Sequence, residues 1–359
     1  MLSKKKNITC HNKINGSNRR GAKKKCYKLK NNNTKVILLS QNNMDKEIRN
    51  QMNIGKPHIY SYGNCLNNNL VYKIEEAYDI DLFDFINNKN LNILENILYQ
   101  NNNEFNKYFK NMQKHFKKVL TTIDFLHKQG KAHLDIKPEN ILLKLNKDNL
   151  INEMVLTDFG TLTNITGNNY GKGTYYYMDT VLPLTYKSDI FSLGLTILYS
   201  FTGSIFPFDT ENESERLKLC PTSDETTEEW LNRIYPFESH IKYIDTYLIF
   251  YNLIYNMLKV NIISNKYSKK DRYNIEGVIK HPFWKLEKKE LKNNDYINEN
   301  VFKNINNNLF LKENNLKQTK SGCNCKNDCV YKSIKNRFFG EKKCKVDPEN
   351  CDGLKYNEC

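Results

Sequence analysis

Asp135, Lys137 and Asn140 crowd into the run His133-Leu134-Asp135-Ile136-Lys137-Pro138-Glu139-Asn140, and Asp158 follows in Asp158-Phe159-Gly160. These residue types meet the demands of moving a terminal phosphoryl group from ATP: a carboxylate to orient a hydroxyl, a cation to steady the phosphate, and hard oxygen ligands for Mg2+. On this reading Asp135 accepts the hydroxyl proton, Lys137 holds the γ-phosphate, and Asn140 with Asp158 ligates Mg2+. Each residue alone has a plainer reading as a turn or cap residue. The four together argue against it.

The flanking sequence shows how such a group would be positioned. Residues 116–127 carry apolar side chains at helical spacing and Gly130 ends that segment, while Met154-Val155-Leu156-Thr157 is a short apolar run suited to a buried strand. The chemistry-bearing residues therefore sit on loops between a helix and strands.

This stretch resembles the catalytic and Mg2+-binding loops of the eukaryotic-type protein kinases, whose signatures are H-R-D-x-K-x-x-N and D-F-G. Gly173-Thr174-Tyr175-Tyr176-Tyr177-Met178, Asp189-Ile190-Phe191-Ser192-Leu193-Gly194, and Arg272 with His281-Pro282-Phe283-Trp284 are similar to later motifs of that family. The resemblance covers residues 16–285. It implies an α+β, bilobal fold with a small β-rich N-lobe (1–76) and a larger, mainly helical C-lobe (77–285). A linker (286–320) and a small Cys-rich C-terminal tail (321–359) would follow. It also implies ATP and Mg2+ as cofactors and proteins as substrates. Lys137-Pro138-Glu139 and Thr174 resemble Ser/Thr rather than Tyr kinases. Upstream, Ile74 is similar to the gatekeeper, and Glu75 to Ala77 to the adenine-binding hinge.

The phosphate-covering loop and the ATP-gripping lysine fit less well. Gly16-Ser17-Asn18-Arg19-Arg20-Gly21 keeps two of three glycines, with Asn between, and Asn tolerates left-handed backbone. A second register begins at Gly21 and runs to Lys28. Glu47 resembles the glutamate of the αC helix that pairs with the lysine. Lys28 lies nineteen residues before it, yet only six residues separate it from Gly21, too few for two strands and a turn. Residues 25–30 and 35–40 instead read as a hairpin turned by Asn31-Asn32-Asn33-Thr34. That places Leu39 at the lysine position and leaves the lysine open between Lys28, Lys35 and a genuine absence.

Leu134 stands where the family commonly has an Arg that binds an activation-loop phosphate. Phosphorylation of Thr161, Thr163 or Thr166 is accordingly expected to be dispensable. Asp179-Thr180-Val181 replaces A-P-E, so Arg272 must find another acid, such as Asp179, or lie exposed.

The 359-residue chain has a formal net charge of +15, which favours acidic partners, though solvated lysine-rich surface explains it as well. Residues 244–263 are apolar, but Asp245 and Lys259 make a buried helix the preferred reading over a membrane span. Basic N-terminal residues without an apolar stretch after them fit a cytoplasmic chain with no signal peptide. Residues 210–229 read as a charged surface insertion. Six of ten cysteines lie in the tail, where Cys323, Cys325, Cys329 and Cys344 could hold a structural Zn2+ or the cysteines could instead be disulfides or free thiols. Cys10, Cys26, Cys65 and Cys220 read as packing residues.

Three functions compete on these residues: a Ser/Thr protein kinase, a pseudokinase that binds or scaffolds without efficient ATP turnover, and, least favoured, a nucleic-acid binder. Oligomeric state is not written in the residues.

Overall fold

The computed structural model describes residues 4–5, 24–29, 32–66, 69–89, 103–165, 173–174, 177–179, 181–203, 227, 230, 244–263 and 266–286. The N-terminal part is a five-stranded sheet with one helix. Strands β2 (Lys24–Leu29) and β3 (Asn32–Ser40) form the hairpin expected from the Asn-rich turn, pairing Lys28 with Val36 and Cys26 with Leu38. With β1 (Lys4–Lys5), β4 (Ile59–Asn64) and β5 (Val71–Glu76) the sheet order is β1-β4-β5-β3-β2. Helix α1 (Asp45–Ile54) carries acidic residues in its first turn and stops at Gly55, whose φ of +85° supplies the left-handed C-cap.

Strand alternation divides the side chains of this sheet between two faces. Ile37, Leu39, Tyr72 and Cys65 form one apolar cluster with Ile74 at its margin. Cys65 is disulfide-bonded as well as buried, so it is not the plain packing residue its scattered position implies.

The C-terminal part is mainly helical. It comprises β6 (Ile80–Asp81), α2 (Leu82–Lys89), α3 (Asn103–Lys128), β7 (Lys131–Ala132), a 3-10 turn at Pro138–Asn140, β8 (Ile141–Leu145), β9 (Ile151–Leu156) and β10 (Thr163–Asn164). Then come α4 (Tyr186–Thr202), α5 (Ile244–Leu258), β11 (Asn261–Ile263), β12 (Lys266–Ser268), α6 (Ile275–Lys280) and a 3-10 turn at Pro282–Lys285.

Helix α4 is the hub. It is apolar on nearly every face, as a helix surrounded by others must be, and all residues from Ser188 to Thr202 are buried. Thr185 caps it in a reciprocal box with Ser188. Close approach to α5 requires Gly194, where a Cβ would lie 2.9 Å from Leu258 Cδ2 and 3.0 Å from Met257 Cβ. The apolar run at 244–263 thus provides α5 inside the C-terminal core, then turns into β11. No helix among the described residues is long and apolar enough to cross a membrane.

Arg272 is buried and forked onto Asp179, with Nη1 2.7 Å from Oδ2 and Nη2 3.2 Å from Oδ1. Lys269 Nζ adds a third contact at 3.1 Å. Asp179 therefore supplies the acid missing from the Asp179-Thr180-Val181 segment. Burial works against its charge, but Arg272 and Lys269 outweigh that and hold its carboxyl below the usual range. Asp179→Asn leaves buried Arg272 and half-buried Lys269 short of a counter-charge and is expected to cost about 3–5 kcal/mol in urea unfolding; a loss under about 1 kcal/mol would contradict the pairing.

Two buried histidines set an acid limit. His281 Nδ1 accepts from Phe283 N at 3.2 Å and its Nε2 lies 2.9 Å from Asn252 Oδ1, an arrangement that suits the neutral ring. Burial lowers His281 to about 4, and burial aided by Lys118 and Lys114 does the same for His115. The unfolded chain takes up these protons near pH 6.5, so the stability they confer is complete above that pH and lost as pH falls towards 4. The expected slope, on the order of 3 kcal/mol per histidine across that window, should be shallower in His281→Asn when urea midpoints are compared at pH 7, 5.5 and 4.

Candidate active site

Asp189 in the first turn of α4 anchors the loop that carries the chemistry. Its fully buried carboxylate accepts from His133 N at 2.8 Å and Leu134 N at 2.7 Å, and lies 2.8 Å from His127 Nε2. These bonds hold Leu134 at φ +63°, a conformation costing a non-glycine residue on the order of 1–3 kcal/mol.

Asp135 then projects beside Thr174 and Asn140. Its Oδ1 accepts from Thr174 N at 2.7 Å and from Thr174 Oγ1 at 2.6 Å. Asn140 Nδ2 donates to Asp135 O at 2.8 Å and to Oδ2 at 3.0 Å, which leaves the Asn140 carboxamide oxygen as the atom available to a cation. Lys137 Nζ donates to Thr174 Oγ1 at 2.5 Å and stands 3.8 Å from Asp135 Oδ2. Strand pairing supplies the fourth residue: Ile141 faces Leu156, and Thr157 N bonds Asn140 O at 2.9 Å, so Asp158 begins beside Asn140. Asp158 has φ +60°, and buried Phe159 packs edge-on against the His133 ring at 5.4 Å.

Gly173 closes this arrangement from the other side. At φ +103°, a Cβ there would fall 2.2 Å from Leu134 O, so only glycine allows the segment before Thr174 to meet the catalytic loop.

On α1, Glu47 faces a cation that is neither Lys28 nor Lys35. Lys73 of β5, 1% exposed, has its Nζ 2.9 Å from Glu47 Oε1, 2.9 Å from Glu75 Oε2 and 2.8 Å from Gln51 Oε1. Gln51 in turn donates to Glu75 Oε2 at 2.7 Å and to Pro57 O at 2.8 Å. Burial disfavours the Lys73 charge, but Glu75 and Glu47 more than offset it and raise its pKa. Lys35 Nζ lies 4.1 Å above the Tyr60 ring instead. Lys28 sits on the edge strand opposite Val36, its side chain outside the described part. Leu39 faces the apolar cluster around Tyr72, and it is Leu38 that pairs with Lys73.

The sequence matches the protein kinase domain model over residues 9–284. The chain belongs to the protein kinase family. It is 34% identical over 171 residues to calcium-dependent protein kinase 4 of Plasmodium berghei, covering 44% of this chain and 32% of that protein. It is 40% identical over 109 residues to the Plasmodium falciparum protein of the same name (28% and 20%), and 29% identical over 186 residues to a serine/threonine-protein kinase of Drosophila melanogaster (48% and 22%). The chain thus covers a third or less of each relative's length. Kinases of this family generally use ATP and Mg2+ and act on proteins.

Residues 77–79 connect β5 to β6. Glu75 does not line this connection; its side chain turns to Lys73 and Gln51 on the α1 face, while Ile74 packs on the opposite face with the apolar cluster. Glu76 N and Ala77 N are taken by His58 O and Thr34 O, both at 2.8 Å, and Asp79 N by Leu143 O at 2.9 Å. Behind the connection, Glu76 binds Lys56 at 2.9 Å and also Lys144, and Glu153 lies 3.3 Å from Lys56 and 3.1 Å from Lys144. Burial opposes ionisation of Glu76, but its bonds to Lys144 and Lys56 bring its pKa down to about 2. This four-charge clasp joins β5 to the β8-β9 pair.

Leu134 occupies an apolar cluster with Ala132 and Leu184, against which Ile165, Met178 and Tyr186 pack. Thr161 Oγ1 donates to His133 O at 2.7 Å. Among the described residues, this packing and the Thr161 bond tie the stretch after Asp158-Phe159-Gly160 to the loop at 133–140.

Gly16, Gly21, Thr166 and the proposed zinc ligands Cys323, Cys325, Cys329 and Cys344 lie outside the described residues. Among those described, no group of three or more His, Cys, Asp or Glu could hold a metal. Lys73 and Gln51 went unread in the sequence, although two spacings point to them. Lys73 and Glu75 share a strand face at i, i+2, and Glu47 and Gln51 share a helix face at i, i+4.

Gly173→Ala should lower phosphoryl transfer at least 10-fold with an unchanged far-UV spectrum. Thr161→Val and Thr163→Val, by contrast, should each keep activity within about threefold, since no phosphate is needed to order the segment.

Proposed function

We propose that this domain is a serine/threonine protein kinase that transfers the ATP γ-phosphoryl group to protein hydroxyls. The observation that carries the reading is the convergence of Asp135, Lys137 and Thr174 on one another, with Asn140 fixed by Asp135. Bound Mg-ATP would supply the electrophilic phosphorus and neutralise its developing charge. Asp135 Oδ2 orients the substrate hydroxyl and takes its proton, and Lys137 approaches the transferred phosphate. The Asn140 carboxamide oxygen and the Asp158 carboxylate suit Mg2+, which prefers hard oxygen donors and few protein ligands. Thr174 and Lys137 hold Asp135 from one side, an arrangement that fits short aliphatic alcohols, and the relatives' names agree with Ser/Thr specificity.

The pseudokinase reading retains one specific support. Leu38 sits on β3 at the position facing Lys73, so the usual lysine of that strand is replaced. Radiolabelled phosphate transfer to a Ser/Thr peptide mixture and to a Tyr polymer decides between the two. Asp135→Asn should reduce Ser/Thr transfer at least about 100-fold. Wild-type signal equal to that of the variant would leave a binding protein, and preferred Tyr transfer would overturn the substrate class.

A further inference from the structure

The family's αC glutamate is held by a lysine that also grips nucleotide phosphates; here Glu47 is held by a lysine from another strand, with different neighbours. An ammonium group has three N–H donors. In Lys73 they are matched by Glu47 Oε1, Gln51 Oε1 and Glu75 Oε2 at 2.8 to 2.9 Å. The four residues are all nearly solvent-free, at 1% for Lys73, 5% for Glu47, 0% for Gln51 and 4% for Glu75. Gln51 closes the ring by donating to Glu75 and anchors it to the chain at Pro57 O. A phosphate oxygen could reach the ammonium only by displacing one of these acceptors within a dry site, leaving a carboxylate or amide oxygen unsatisfied.

We propose that Lys73 is a positioning residue that latches α1 through Glu47 and Gln51 without nucleotide, so that helix placement and phosphate binding, coupled through one lysine elsewhere in the family, are separate here. The latch acts on the catalytic centre through α1 itself. Asn50 Nδ2, on the same helix, donates to Phe159 O at 3.1 Å, and Glu47 Oε2 would lie 3.7 Å from a Cβ at Gly160. Holding α1 therefore holds the Asp158-Phe159-Gly160 segment. Phosphate contacts would come from Lys137, from Mg2+ on Asn140 and Asp158, and from groups other than Lys73.

The test compares Lys73→Met, and Lys73→Met/Glu75→Met in case two unpaired buried carboxylates prevent the single variant from folding. Hydrogen exchange of the α1 amides is followed with and without Mg-ATP, and affinity for a fluorescent ATP analogue is measured in parallel. The expected result is strong α1 protection in nucleotide-free wild type, changing less than twofold with Mg-ATP. In the variants, protection should fall at least 10-fold while nucleotide affinity stays within threefold. Protection that appears in wild type only with nucleotide, or persists in the variants, overturns the latch. A 10-fold or greater loss of nucleotide affinity makes Lys73 a phosphate anchor and equally overturns it. The inference rests on the kinase reading only for its consequence in turnover: kcat should fall at least 10-fold with KM for ATP within threefold. Absence of any wild-type transfer would sink that reading while exchange and affinity still judge the latch.

Discussion

A buried carboxylate with every oxygen engaged organises the catalytic half of this kinase domain. Asp189 is inside the protein, where an unpaired charge would be prohibitively costly, and the backbone N–H groups of His133 and Leu134 are what satisfy it. That requirement fixes the catalytic loop to the central helix α4. Because α4 is packed on all sides, the loop that carries Asp135, Lys137 and Asn140 is tied through Asp189 to a helix buried in the core. The strain at Leu134 is offset by the same two bonds.

Away from that anchor, the chain meets several familiar requirements with unfamiliar residues. A buried Arg must have an acid, and Asp179 provides it two residues before the position occupied by Val181. The catalytic loop must be joined to the activation segment, and Leu134 does so by packing with Leu184 and Met178 where charge pairing is common in the family. The αC glutamate must be neutralised, and Lys73 reaches it from β5. In each case the physical demand is kept while its source moves by a few residues or to a neighbouring strand. The clasp of Glu76 with Lys56, Lys144 and Glu153 adds an electrostatic link between β5 and the β8-β9 pair.

The catalytic centre was legible because its residues are close in sequence. Asp135, Lys137 and Asn140 occupy one loop, and a single strand pairing, Ile141 with Leu156, brings Asp158 alongside. The β2-β3 hairpin was legible for the same reason, its turn chemistry being local. Motif spacing placed Ile74 at the gatekeeper and Glu75 to Ala77 at the adenine edge, whereas strand alternation turns Lys73 and Glu75 inward and Ile74 outward, and Ala77 N is spent on Thr34 O.

The lysine question shows where a sequence stops informing. Counting residues back from Glu47 named Lys28 and Lys35, both upstream, because the family pairs an earlier strand with α1. Spacing alone pointed to the Asp135, Lys137 and Asn140 cluster, the helix that precedes it and the β2-β3 pairing, all governed by interactions within a few residues. Only the folded chain decided which cation meets Glu47 and which acid meets Arg272. Those choices depend on the order of strands in a sheet and on the direction each side chain takes from it, and residues 26 to 93 positions apart have no local signal that records either.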